Sequence, residues 1–116
     1  MKYMLLIYND EEKVRAIPRE DANKMLPAYA AYTEALKKAG IYLAGDRLQF
    51  TSNATTVRIR DGKTNVVNGP YAEAKEQLAG YYLIDVPDMD SALSWAARCP
   101  GAGFGAIEVR PIWVMQ

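Results

Sequence analysis

Two helix-patterned stretches interleaved with five strand-patterned ones restrict this chain's fold more than any single motif does. From Asp21 to Ala39, Ala22, Met25, Leu26, Tyr29, Tyr32, Leu36 and Ala39 recur at three- and four-residue spacing. That is the apolar stripe of an amphipathic helix, ended by Gly40. Pro27 fits either the first turn of a later-starting helix or a kink in a longer one; the first is preferred. "PDMDSALSWAARCPG" predicts a second helix, with Asp88 as its cap, Met89, Ala92, Leu93 and Ala96 on one side, and Pro100-Gly101 as its stop.

The stretches around them have strand character. "KYMLLIY" (Lys2–Tyr8) is a short continuous apolar run, expected to be covered on both faces. Polar "NDEEK" interrupts it. Tyr42–Phe50 is a short extended piece, and Ala79–Val86 and Ala106–Val114 are further strands. Ala54–Asn68 alternates Thr55, Val57 and Ile59, turns at Asp61-Gly62 and resumes at Val66-Val67, a strong hairpin signal. The order reads βαββαβ with an extra β-hairpin. This is an α+β, ferredoxin-like arrangement, an antiparallel sheet with both helices on one face. No linker or repeat divides residues 1–116, so one domain is expected.

Composition excludes several functions. Lys plus Arg and Asp plus Glu number 14 each, so no net field favours nucleic acid or an anionic membrane. Histidine is absent, which removes the commonest general base, the commonest zinc ligand and the Ser-His and Cys-His pairs. Cys99 stands alone, so no internal disulfide forms. No run approaches the roughly 18 apolar residues of a membrane span, and the opening segment lacks a signal-peptide pattern. A cytoplasmic protein without a cofactor or metal is expected.

Strand alternation raises a question about the uncovered face of the sheet. Tyr82, Ile84 and Val86 point opposite to Tyr81, Leu83 and Asp85; Ile107 and Val109 opposite to Glu108 and Arg110; Val57 and Ile59 opposite to Arg58 and Arg60. Helices can cover only the apolar set. The other face then carries Arg58, Tyr81, Leu83, Asp85, Glu108 and Arg110 beside one row of the first strand, either Tyr3-Leu5-Ile7 or Met4-Leu6-Tyr8. It is too apolar for free water and too charged for a dry core. A second copy packed sheet to sheet, leaving a partly polar cleft, satisfies both conditions, so a homodimer is expected.

"MKYMLLIY", "ATTVRIRDGK", "NGPYAEAKEQLAGYYLIDVPDMD" and "WAARCPGAGFGAIEVRPIW" together resemble the YCII-related family, in its DGPF-domain branch. The resemblance runs over nearly the whole chain and implies a dimeric α/β barrel. The name-giving motif falls on Asn68, Gly69, Pro70 and Tyr71, with Asn68 where the family usually has Asp and Tyr71 where it has Phe. The first departure removes a carboxylate. A His–Asp pair proposed as catalytic in another branch has no counterpart in a chain without histidine. The resemblance also implies a possible link to an extracytoplasmic-function sigma factor.

The candidate ligand-binding residues are Arg58, Asn68, Tyr71, Glu73, Tyr81, Glu108 and Arg110. Strand-borne Arg58, Asp85, Glu108 and Arg110 would be held tightly, although ion pairing across the sheet explains them equally well. Asn68-Gly69-Pro70 would present Tyr71 and Glu73 to the cleft, with Lys75 and Glu76 setting the local charge, or would simply be a turn with a solvated face behind it. Any general base must be a carboxylate, with Glu73, Asp46 and Asp85 as candidates; burial would raise its pKa and an Arg could hold an enolate. A lyase- or isomerase-like enzyme is therefore one alternative to a small-molecule binding protein, and a regulatory module beside a sigma factor is another. "GAGFG" (Gly101–Gly105) follows a helix instead of preceding one, which rules out a dinucleotide loop. Asp88-Met89-Asp90 reads as a helix start and Asp10-Glu11-Glu12 as exposed, ahead of any role in ion binding.

Overall fold

The computed structural model describes residues 1–115. Its elements are β1 (Lys2–Asn9), α1 (Glu11–Arg15), α2 (Arg19–Lys38), β2 (Tyr42–Arg47), β3 (Thr55–Arg60), β4 (Lys63–Asn68), β5 (Gln77–Asp85), α3 (Met89–Arg98) and β6 (Ala106–Pro111). Four strands form one sheet in the order β2-β5-β1-β6, every neighbour antiparallel. That order is the ferredoxin-like one read from the sequence. β3 and β4 form a separate two-stranded sheet.

β1 shows why one face is buried. Tyr3, Leu5 and Ile7 are enclosed, while Met4, Leu6 and Tyr8 stay half-buried on the other side. The expectation of cover on both faces is therefore met on one face only. The same core takes in Tyr82 and Ile84 of the neighbouring β5, Val86 just after it, Tyr32 and Leu36 of α2, Ala92 and Ala96 of α3, and Cys99. Leu5, Leu36 and Ile84 have no exposed surface, and each contributes about 1.5–3 kcal/mol by burial.

Tyrosines fill the layer between α2 and the sheet because each hydroxyl finds a partner. Tyr32 donates to the Trp95 carbonyl at 2.7 Å, and the Tyr82 hydroxyl shares a 2.8 Å hydrogen bond with Thr33. The Tyr32 and Tyr82 rings meet edge to face at 5.3 Å, the arrangement aromatic quadrupoles favour.

Helix α2 starts before Pro27 and runs through it as a 20-residue element, against the later start preferred from the sequence. Pro27 cannot donate to the carbonyl of Asn23. The helix is open to solvent at that level, Leu26 being 74 % exposed, so water can satisfy the carbonyl. Ala22 and Leu26, expected on the apolar stripe, lie outside the core; only from Tyr29 onward does the stripe meet the sheet. Leu93 of α3 is likewise exposed, whereas Ala92 and Ala96 are buried. Asp88 caps α3, accepting from the Ser91 amide at 2.8 Å, and this bond lowers its carboxyl pKa.

The hairpin corrects a second expectation. Asp61 and Gly62 take φ values of 51° and 75°, the two positive angles that a tight two-residue hairpin turn requires. The turn is as read from the sequence, but its strands do not join the main sheet. Val57 and Ile59, expected beneath the helices, are exposed, and Arg58 is not on the open face of the four-stranded sheet.

Cys99 is 2 % exposed, and desolvation raises its thiol pKa. A buried thiol reacts only through opening of the fold. Ellman's reagent should therefore modify native Cys99 at least roughly a hundredfold more slowly than the urea-unfolded chain.

Candidate functional site

The open sheet face is ordered by strand register. Asp46 pairs with Tyr81, Tyr81 with Leu6, and Leu6 with Glu108. One row further on, Ala44 pairs with Leu83, Leu83 with Met4, and Met4 with Arg110. An apolar band is thus bordered by an acid on the β2 side and by Glu108 and Arg110 on the β6 side. Tyr81 donates to Asp46 Oδ2 at 2.7 Å, and this bond raises the phenol pKa. Tyr8 sits within 3.4 Å of Glu108 Oε1, and burial followed by the Glu108 charge raises its pKa in turn.

A β-bulge shapes one end of this face. Ile7 pairs with Gly80 but Tyr8 pairs with Leu78, leaving Ala79 as the extra residue. Strict alternation from Tyr82 would put Leu78 beneath the sheet. The bulge turns it to the open side beside Tyr8.

Tyr8 and Leu78 form part of a cleft of about 680 Å³. Leu48, Gln49, Phe50 and Thr51 line it from the segment after β2, and Pro70, Tyr71, Ala72 and Glu76 from the segment after β4. The second segment begins at Gly69, whose φ of 113° suits glycine. Gly69 is tied to the hairpin base by its amide to the Ala54 carbonyl at 2.7 Å, and its own carbonyl accepts from Thr56 Oγ1 at 2.8 Å. Tyr71 stands at the rim with the Arg58 guanidinium 4.6 Å over its ring.

Beneath the cleft lies a group that periodicity did not single out. Glu11, expected to be exposed, is 8 % exposed. Its Oε2 accepts from the Thr51 amide at 2.8 Å and its Oε1 from the Thr51 hydroxyl at 2.5 Å. The Glu11 amide donates to Gln77 Oε1 at 3.0 Å, and Gln77 Nε2 donates to the Ala74 carbonyl. This network joins α1, the 3₁₀ turn Thr51–Asn53 and the segment leading into β5, three pieces distant in sequence. Arg15 adds a cation–π contact, its guanidinium 4.4 Å from the Phe50 ring centre. The only hint in the sequence is local: Asp10 caps α1 by accepting from the Glu12 amide. Nothing in the spacing links Glu11 to Thr51.

The site residues predicted from sequence thus fall into four groups. Tyr81, Asp46, Glu108 and Arg110 share the open face. Arg58 and Tyr71 meet at the cleft rim, and Asn68 ends β4, paired with Thr55, ahead of the turn that leads to Tyr71. Asp85 pairs with the N-terminal ammonium at 3.0 Å. Glu73 is exposed and lines neither this cleft nor the smaller one of about 350 Å³ beside Glu11 and Lys75, whereas Glu76 lines the larger. No described group of three or more His, Cys, Asp or Glu residues is arranged for a metal ion. No described helix is long and apolar enough to cross a membrane.

The larger cleft is mostly apolar and aromatic, with hydroxyl, amide and single-carboxylate groups at its margin. Such a lining holds a flat or apolar body and orients it through a few hydrogen bonds. A family model described as a YCII-related domain matches residues 1–116. The chain is also similar to an uncharacterised protein of Rhizobium meliloti (strain 1021), 39 % identical over 114 residues, covering 97 % of this chain and 92 % of that one.

Proposed function

The chain belongs to the YCII-related domain family, and from that premise we propose that it works as a homodimer binding a small organic molecule in the cleft between Tyr8, Leu78 and Tyr71. The observation that carries this reading is the cleft itself. Its volume of about 680 Å³ lies in the range of small-molecule sites. Its aromatic walls suit a ligand with a planar or apolar body, and Gln49, Thr51, Asn53 and Gln77 offer hydrogen bonds to a polar edge. Asn68-Gly69-Pro70-Tyr71 supports assignment to the DGPF branch, with the motif serving as the turn that brings Tyr71 to the rim.

The dimer forms through the open face. Met4, Leu6 and Leu83 make an apolar band wider than water-facing sheets usually carry, and Tyr81, Asp46, Glu108 and Arg110 supply a polar border around it. Light scattering at micromolar concentration should give twice the 12.9 kDa chain mass.

A thermal-shift screen of aromatic and carboxylate metabolites tests the binding reading. A ligand at a hundred times its Kd adds about 2.7 kcal/mol, a rise of several degrees for a chain of this length. Leu78→Asp, which places a charge on the cleft wall, should abolish that rise while leaving the apo protein folded. A screen in which this variant and the native protein respond alike to every compound would remove the cleft as the site.

A further inference from the structure

Among the described residues, nothing covers the aliphatic face of the β3–β4 hairpin. Val57, Ile59 and Val66 lie on one face of it by register, and they are 60 %, 72 % and 59 % exposed. A lone two-stranded hairpin is marginal in water, and three exposed aliphatic side chains on one face add to that cost. On the opposite face Arg58 stacks on Tyr71 of the same chain, and Val67 is the exposed aliphatic residue there. The larger aliphatic patch is the face of Val57, Ile59 and Val66.

The dimensions of the chain indicate what covers it. The molecule is a plate of 47 × 47 × 18 Å with a radius of gyration of 16.2 Å, where a compact domain of this length has about 13 Å. The hairpin thus extends the plate sideways and does not fold over the sheet. The accessible surface is 8378 Å², against about 6,300 Å² for a monomeric protein of this mass. The excess is roughly 2,000 Å² per chain, the amount a subunit contributes to an extensive homodimer interface.

We propose that the β3–β4 hairpin is an arm that docks on a second copy of this chain through Val57, Ile59 and Val66. The proposal rests on the dimer proposed above and specifies a part of its interface that the open sheet face does not include. Two-fold symmetry makes the exchange reciprocal, each copy giving one arm and receiving one.

The test uses the full-length chain with Ile59→Arg and, separately, Val57→Thr/Ile59→Thr/Val66→Thr. Ile59 is exposed within one chain, so arginine there leaves the subunit fold intact; threonine keeps β-propensity, so the hairpin persists. Sedimentation over a concentration series should show each variant dissociating at least about tenfold more readily than the native dimer. Amide exchange across Thr56–Val67 should be slow in the native protein and fast in both variants. A native dimer whose variants dissociate at the same concentration, with hairpin amides unprotected throughout, overturns the arm and leaves the sheet-face dimer standing. A native chain that sediments as a monomer at every concentration overturns both. A hairpin protected only when a different protein is added also overturns the proposal, because the occupant is then not a second copy.

Discussion

Glu11→Ala is expected to lower the unfolding free energy by roughly 2–4 kcal/mol. The carboxylate is buried and receives two hydrogen bonds from one residue, the amide and the hydroxyl of Thr51. Truncation leaves both donors without a partner in a site that excludes most water, and hydrogen bonds to a charged acceptor are worth more than neutral ones. Glu11→Gln keeps the shape and one acceptor oxygen, so its loss should be about half as large. Urea unfolding followed by tryptophan fluorescence measures both. Thr51→Ala in a double-mutant cycle should recover much of the loss, because the two side chains act as one unit. Additive losses would show that Glu11 stabilises the fold by some other route. The ligand-induced thermal shift should fall as well, since Thr51 lines the cleft that Glu11 holds in place.

Gly105→Ala should be at least as damaging, with a loss of about 3 kcal/mol or more. A side-chain carbon at Gly105 would run into the carbonyl oxygen of Tyr8 and crowd the Cα of Asn9. Both obstacles are backbone, so no rotamer change relieves them. The start of β6 would have to move off β1 where Ala106 pairs with Tyr8. Gly103→Ala, two residues earlier, is the control: nothing lies within 4 Å of its added carbon. That variant should be neutral or gain a few tenths of a kcal/mol through a stiffer unfolded chain. At about 4 °C per kcal/mol for a chain of this length, calorimetry would separate the two glycines by more than ten degrees. Equal melting temperatures would mean the β6 entrance yields more easily than its geometry implies.

Much of the fold was legible because burial writes a period into a strand. Tyr82, Ile84 and Val86 alternate with Tyr81, Leu83 and Asp85, and the structure buries the first set. The same reasoning failed for Val57 and Ile59. Their alternation is real, but alternation says only that two faces differ, not which sheet a strand joins. Pro27 was misread for a related reason. A missing backbone donor is costly inside a core and cheap where the helix meets water, and exposure at Leu26 is a tertiary fact. The site was legible in part. The tight turn at Asn68–Pro70 announced a bend, and Tyr71 stands at the cleft rim. Glu11 was missed because its partner Thr51 is 40 residues away, and a charged residue among charged neighbours carries no periodic signature.

The extra residue in β5 has a consequence for how this chain tolerates change. An insertion or deletion inside a strand ordinarily inverts every side chain beyond it. Here the bulge absorbs Ala79 as the unpaired residue, so its neighbours keep their faces whether or not it is present. Removing Ala79 would place Leu78 directly before Gly80, so regular alternation would keep Leu78 opposite Tyr8 on the open side while Tyr81 to Asp85 kept their places. A relative one residue shorter here could therefore preserve both the scaffold and the chamber, losing only the local kink.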